Sequence, residues 1–177
     1  ILLSLVPYKR LKKILTALLD ENEFLSTGGV RSLSKIHQKP YRIMIGGEEF
    51  GLNYQPGDSN SDLFGGNSNW RGPVWMPMNY LIILALEKYY KYFKDELQVE
   101  LPAHSGNMVN LKTVADELRK RLTRIFVPNH EGKRPLNGQE DLFNHDKHFK
   151  DLVLFYECFH GDNCRGVGAS HQTGWTG

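Results

Sequence analysis

The sequence predicts an all-α fold with long loops and room for one small β-hairpin, and three stretches carry that expectation. In residues 8–19, Leu11, Ile14, Leu15, Leu18 and Leu19 recur at helical spacing among lysines and arginines, with Pro7 suited to a first turn. Residues 73–93 begin apolar on every side, through the run 81–86, and end in the mixed tail EKYYKYFKDE. A helix of that kind is buried all round at its front and surfaces at its end. In residues 111–126, Leu111, Val114, Ala115, Leu118, Leu122 and Ile125 form one stripe opposite a charged face, and Asn110 is placed to cap it.

The other segments are read in the same way. Residues 22–35 form a loop broken by Gly28 and Gly29, in which Arg31 serves either a substrate or a structural salt bridge. The pieces YRIMI and FGLNY flank Gly46 and Gly47 as a hairpin would. Residues 56–69 are a loop whose Asp58 and Asp62 suit turn formation more than chemistry. Residues 101–110 read as a connector and 128–147 as a polar loop with scattered histidines. Residues 149–159 return to helix, with Leu152, Phe155, Tyr156 and Phe159 apolar and Glu157 among them. A carboxylate in such surroundings costs desolvation free energy unless it is paired or functional.

Composition narrows the function classes. At 177 residues the chain has the size of one ordinary domain, and 40% hydrophobic with 24% charged residues is a globular balance. A net charge of +2, with its basic residues dispersed, offers no nucleic-acid surface. The longest apolar run, 81–86, is too short to span a bilayer, and the opening ILLSLVPYKRLKK lacks the layout of a signal peptide. Cys158 and Cys164 make no disulfide framework, and with His160 and Asp162 they match no standard metal-ligand spacing. No cofactor and no metal is expected.

The chemistry concentrates in two stretches. Residues 63–80, LFGGNSNWRGPVWMPMNY, bring Asn67, Asn69, Trp70, Arg71 and Trp75 together with three glycines. Flat apolar faces beside planar hydrogen-bonding groups suit a sugar ring, although the tryptophans equally suit a core. The last residues, FYECFHGDNCRGVGASHQTGWTG, repeat the pattern with Glu157, His160, His171, several glycines and Trp175. If the intervening helices bring the two stretches together, they form one aromatic pocket with few, convergent polar groups.

NSNWRGPVW followed by NYL, with YECFHGDN and GASHQTGWTG, resembles the C-terminal catalytic domain of glycoside hydrolase family 63, and NEFLSTGGVRSLSK, YQPGDSNSDLFGG and KRPLNG fit the same resemblance. It implies an (α/α)6 barrel. Such a barrel needs twelve helices and the sequence offers four or five, so residues 1–177 would be part of a single catalytic domain truncated at both ends. The resemblance also implies an inverting hydrolase of α-glucosyl oligosaccharides, with no membrane contact from this segment. In that chemistry one carboxyl protonates the leaving oxygen, and a second, roughly 6.5–9.5 Å away, activates water. By motif, Glu157 is the general base. Asn67, Asn69, Trp70, Arg71, Trp75, His171, Gln172 and Trp175 are the substrate-binding residues, with Arg71 alternatively orienting Glu157. No match to the family's acid motif occurs in residues 1–60, so the acid is expected upstream and the chain alone is expected to be inactive. Cys164 and Arg165 depart from the pattern, standing where small residues are expected. Two other readings stay open: another (α/α)6 sugar hydrolase, trehalase-like or mannosylglycerate hydrolase-like, and a non-catalytic carbohydrate-binding helical protein. The compartment, cytosol or endoplasmic reticulum lumen, is left unassigned.

Overall fold

The computed structural model describes residues 4–61, 69–171 and 174, and within them the three helical stripes form helices. They are α1 (Tyr8–Leu18), α2 (Met76–Phe93) and α3 (Leu111–Arg124). Asn110 caps α3 as expected, its side chain accepting from the Thr113 N–H at 3.0 Å. The stripe of α3 is buried through Leu111, Val114, Ala115 and Leu118. It packs against Ile83 and Leu86 of α2 and Leu11 and Leu15 of α1 in one continuous core.

The all-α expectation, and with it the partial (α/α)6 barrel, does not hold. Beside these helices and a short α4 (Asp141–His145), the described residues form four two-stranded antiparallel sheets. These pair β1 (Leu25–Ser26) with β2 (Gly29–Val30), and β3 (Tyr41–Ile45) with β4 (Glu48–Leu52). They also pair β5 (Gln98–Glu100) with β6 (Met108–Asn110), and β7 (Tyr156–Phe159) with β8 (Gly166–Ser170). The physical reason is length. Strands of two to five residues leave almost no period in a sequence, and their stability comes from partners supplied by the fold.

The β3–β4 hairpin is the one that the sequence signals. Gly46 and Gly47 both have positive φ, 60° and 88°, and Ile45 pairs with Glu48 across them. A two-residue turn of that conformation matches the twist of the flanking strands and favours glycine. The expected helix over residues 149–159 is replaced by turns leading into β7. Phe155, Tyr156 and Phe159 are as well suited to a strand as to a helix, and a bulged ladder to β8 decides between them.

Helix α2 departs from expectation in two respects. It starts at Met76 rather than at Pro73, because Val74 is held in extended backbone by isolated bridges to Arg31 and Phe159. Nor is its front buried all round: Asn79 and Ile83 are buried, whereas Met78, Tyr80 and Leu81 are exposed. Buried Asn79 gives the helix its register. Its Oδ1 accepts from the Val30 N–H at 2.8 Å, and its Nδ2 donates to the carbonyls of Val30 (3.0 Å) and Trp75 (2.9 Å). A buried amide with three satisfied bonds locks β2 onto the start of α2.

Candidate functional site

The two chemistry-bearing stretches meet. The Val74 N–H donates to the Phe159 carbonyl at 2.7 Å, and the Phe159 N–H returns the bond to Val74 at 2.9 Å. This pair joins the WRGPVW segment to β7, the strand that carries Glu157. Trp75, Cys158 and Val167 pack as one small core across the junction.

Within the first stretch, burial separates residues that sequence reasoning grouped together. Trp75 is 1% exposed, donates its indole N–H to the Asn69 carbonyl at 3.1 Å, and stacks on Trp70 with ring centroids 4.3 Å apart and planes 4° apart. Trp70 is 37% exposed, so of the two indoles it is the outer one. Asn69 is buried and fully engaged. Its Nδ2 donates to the carbonyls of Gln55 and Gly57, each at 2.7 Å, and its Oδ1 accepts from the Arg71 N–H. Arg71 is also buried. Its guanidinium donates at 3.2 Å to Asn53 Oδ1 and to the hydroxyls of Ser59 and Ser61, while its Nε has no hydrogen-bond partner among the described residues. Burial lowers the pKa of this cation. Asn69 and Arg71 therefore clamp residues 53–61 against the motif. Asn67, Gln172 and Trp175, with Asp62, lie outside the described residues.

Glu157 stands partly buried on β7, directly against β8. A Cβ added at Gly168 would lie 2.7 Å from Glu157 Oε2 and 3.1 Å from Glu157 Cβ, and Gly168 has φ +76°. Only glycine suits that backbone, and only glycine leaves the carboxylate its place. Cys158 beside it is a buried thiol, unpaired like Cys164, and is pushed up to about 12 by burial and then by the charges of Glu157 and Asp58. His171 is exposed just beyond β8, with its backbone N–H donating to Phe155 at 2.6 Å. Among the described residues no group of three or more His, Cys, Asp and Glu could hold a metal, and no helix is long and apolar enough to cross a membrane.

Arg31 resolves toward structure. Buried, it donates from Nε to the Gly161 carbonyl at 3.1 Å, from Nη1 to the carbonyls of Glu21, Glu23 and Leu25, and from Nη2 to Asp162 at 3.2 Å. Asp162 also accepts from the Tyr54 hydroxyl at 3.1 Å and pairs with Lys35 at 3.4 Å. Burial alone would raise the Asp162 pKa, but the Tyr54 hydrogen bond and the two cations lower it. The Tyr54 phenol is raised, chiefly by burial.

His160, two residues before Asp162, accepts at Nδ1 from the N–H groups of Asp162 (3.1 Å) and Asn163 (3.4 Å), so the turn requires a neutral ring. Burial, then the Arg165 cation, push its pKa below the ordinary 6.5. On acidification the unfolded chain therefore takes up this proton before the folded turn does. The contribution of His160 is complete above pH 6.5 and is lost as the pH falls from there toward the folded value. Amide exchange of Asp162 and Asn163 is expected to quicken on going from about pH 7.5 to about pH 5.5, after correction for intrinsic rates, and His160→Gln is expected to remove that dependence. The lowered Asp162 carboxyl acts in a separate window, below its ordinary 3.8.

The chain is similar to known proteins along nearly all of its length. An uncharacterised Saccharomyces cerevisiae protein is 50% identical over 99% of the chain. A probable mannosyl-oligosaccharide glucosidase of Schizosaccharomyces pombe and the mannosyl-oligosaccharide glucosidase of S. cerevisiae are each 25% identical, over 94% and 98% of the chain. The chain spans only 16%, 14% and 15% of the lengths of these three proteins, in that order. The model of the glycosyl hydrolase family 63 C-terminal domain matches residues 1–133, which include the WRGPVW segment and stop before Glu157. With three quarters of its length matched, and with glucosidases aligned along nearly all of it, the chain belongs to glycoside hydrolase family 63.

Proposed function

We propose that the chain carries the general-base half of an inverting glycosidase site, in a protein that hydrolyses α-glucosyl oligosaccharides, a reading supported by relatives that bear the name mannosyl-oligosaccharide glucosidase. The observation that supports this reading is the pair of hydrogen bonds between Val74 and Phe159, which ties the Glu157 strand to the tryptophan-bearing motif. In this mechanism Glu157 takes a proton from the attacking water, while a general acid from elsewhere in a longer catalytic domain protonates the leaving oxygen. Asp58 is unsuited to the acid role, because the hydrogen bond from Arg165 lowers its pKa and keeps it ionised. Trp70 offers an apolar face to the sugar, and His171 borders the far side. Asn69, Arg71 and Trp75 act from beneath, holding the loop and the indole that support that surface.

The test is hydrolysis by the intact protein of kojibiose, nigerose, trehalose, mannosylglycerate and a glucosylated N-glycan. Cleavage of an α-glucoside with release of β-glucose is the expected result. Cleavage of mannosylglycerate alone, or release of α-glucose, overturns the reading. The 177-residue chain by itself is expected to show no hydrolysis of any of the five, and measurable turnover by it would remove the claim that the acid lies upstream.

A further inference from the structure

Arg165 stands where the family resemblance calls for a small residue, and the structure gives it three attachments. Its Nη2 donates to Asp58 Oδ2 at 2.7 Å, its Nη1 donates to the Gly166 carbonyl at 3.3 Å, and its Cβ covers Gly138, where an added Cβ would sit 3.2 Å away. One side chain thus joins the loop of residues 53–61, the first residue of β8 and the turn at residues 135–138. Gly168 lies two residues further along the same strand. Gly168 in turn is the residue pressed against the Glu157 carboxylate. The far side of the Asp58 loop is held by Asn69 and Arg71. A continuous chain of contacts therefore runs from the WRGPVW motif through Asp58 and Arg165 to the strand that confines Glu157.

We propose that the Asp58–Arg165 ion pair is a positioning device for Glu157: it fixes β8, and with it Gly168, against the carboxylate and so sets the orientation of the base. The proposal rests on the reading of Glu157 as general base. Both members of the pair are partly exposed, 61% for Asp58 and 41% for Arg165, so a contribution to overall stability is small. Their effect is on geometry, where a displacement of about 1 Å at a reacting group can cost on the order of 100-fold in rate.

The experiment compares Asp58→Asn, Arg165→Met, Arg165→Lys and the double variant D58N/R165M with the parent in the intact protein, on whichever α-glucoside it cleaves. Each of the first two is expected to lower kcat by about 10–100-fold with KM nearly unchanged, and the double variant is expected to fall no further than the worse single one. The conservative variant supplies a sign that a merely structural role would not produce: Arg165→Lys keeps a cation opposite Asp58 and is expected to recover most of the kcat lost in Arg165→Met, with both variants equally folded by circular dichroism. Wild-type kcat in both single variants, additive losses, or no recovery in Arg165→Lys would overturn the proposal. Retention of activity by Glu157→Gln would instead overturn the base assignment, so the two failures are distinguishable.

Discussion

Glu157→Gln in the intact protein is expected to lower kcat on an α-glucoside by about 10²–10⁴-fold, with substrate affinity preserved. The amide is isosteric with the carboxylate. It can keep its place against Gly168. What it loses is the ability to accept a proton from water as the glycosidic bond breaks. The loss therefore falls on kcat rather than on KM, the mark of an interaction made chiefly in the transition state. A small nucleophilic anion such as azide, which needs no deprotonation, is expected to restore part of the rate in the glutamine variant. A decrease of less than threefold, or an equal loss of sugar binding, would remove Glu157 from the reaction.

The second large effect is on stability. Trp75→Ala is expected to cost about 3–5 kcal/mol, since it empties a fully buried indole site at the junction of the two motifs. The side chain is 1% exposed, stacks flat on Trp70 and spends its N–H on the Asn69 carbonyl. Its loss opens the cluster shared with Cys158 and Val167 and loosens the Val74–Phe159 bridge beside it. Hydrogen exchange at the Val74 and Phe159 amides reads this directly, and both are expected to lose protection. Trp70→Ala removes the partner ring and is expected to cost only about 0.5–1.5 kcal/mol while weakening sugar binding. If instead Trp75→Ala left the amides protected and abolished sugar binding, Trp75 would be a wall of the pocket and Trp70 a support.

The two tryptophans illustrate what a sequence cannot separate. Both lie in one nine-residue motif and both have the chemistry of a sugar platform. Which one faces outward depends on Asn69, Arg71 and the loop of residues 53–61, which the chain brings under the motif from elsewhere. Asn69 and Arg71 are likewise sugar-reading groups by type and loop clamps by placement. A planar amide or guanidinium satisfies backbone carbonyls and hydroxyls as readily as substrate hydroxyls. Residue type alone is silent on which partner is present.

Some features needed no partner and were legible in the chain itself. The stripe of α3 and its Asn110 cap depend on neighbours three and four residues away. The β3–β4 turn depends on two adjacent glycines, and the membership of the family rests on long local motifs. The misreadings all concern distant pairing. The Glu157 segment is a strand because β8 and Val74 hydrogen-bond to it, and Arg165, an apparent departure from the motif, finds Asp58 more than a hundred positions earlier. Local periodicity determined α1, α2 and α3. Backbone pairing and burial between residues far apart in the chain decided the sheets, the outward indole and the seat of Glu157, because those interactions have free energies that exist only once the partner is in place.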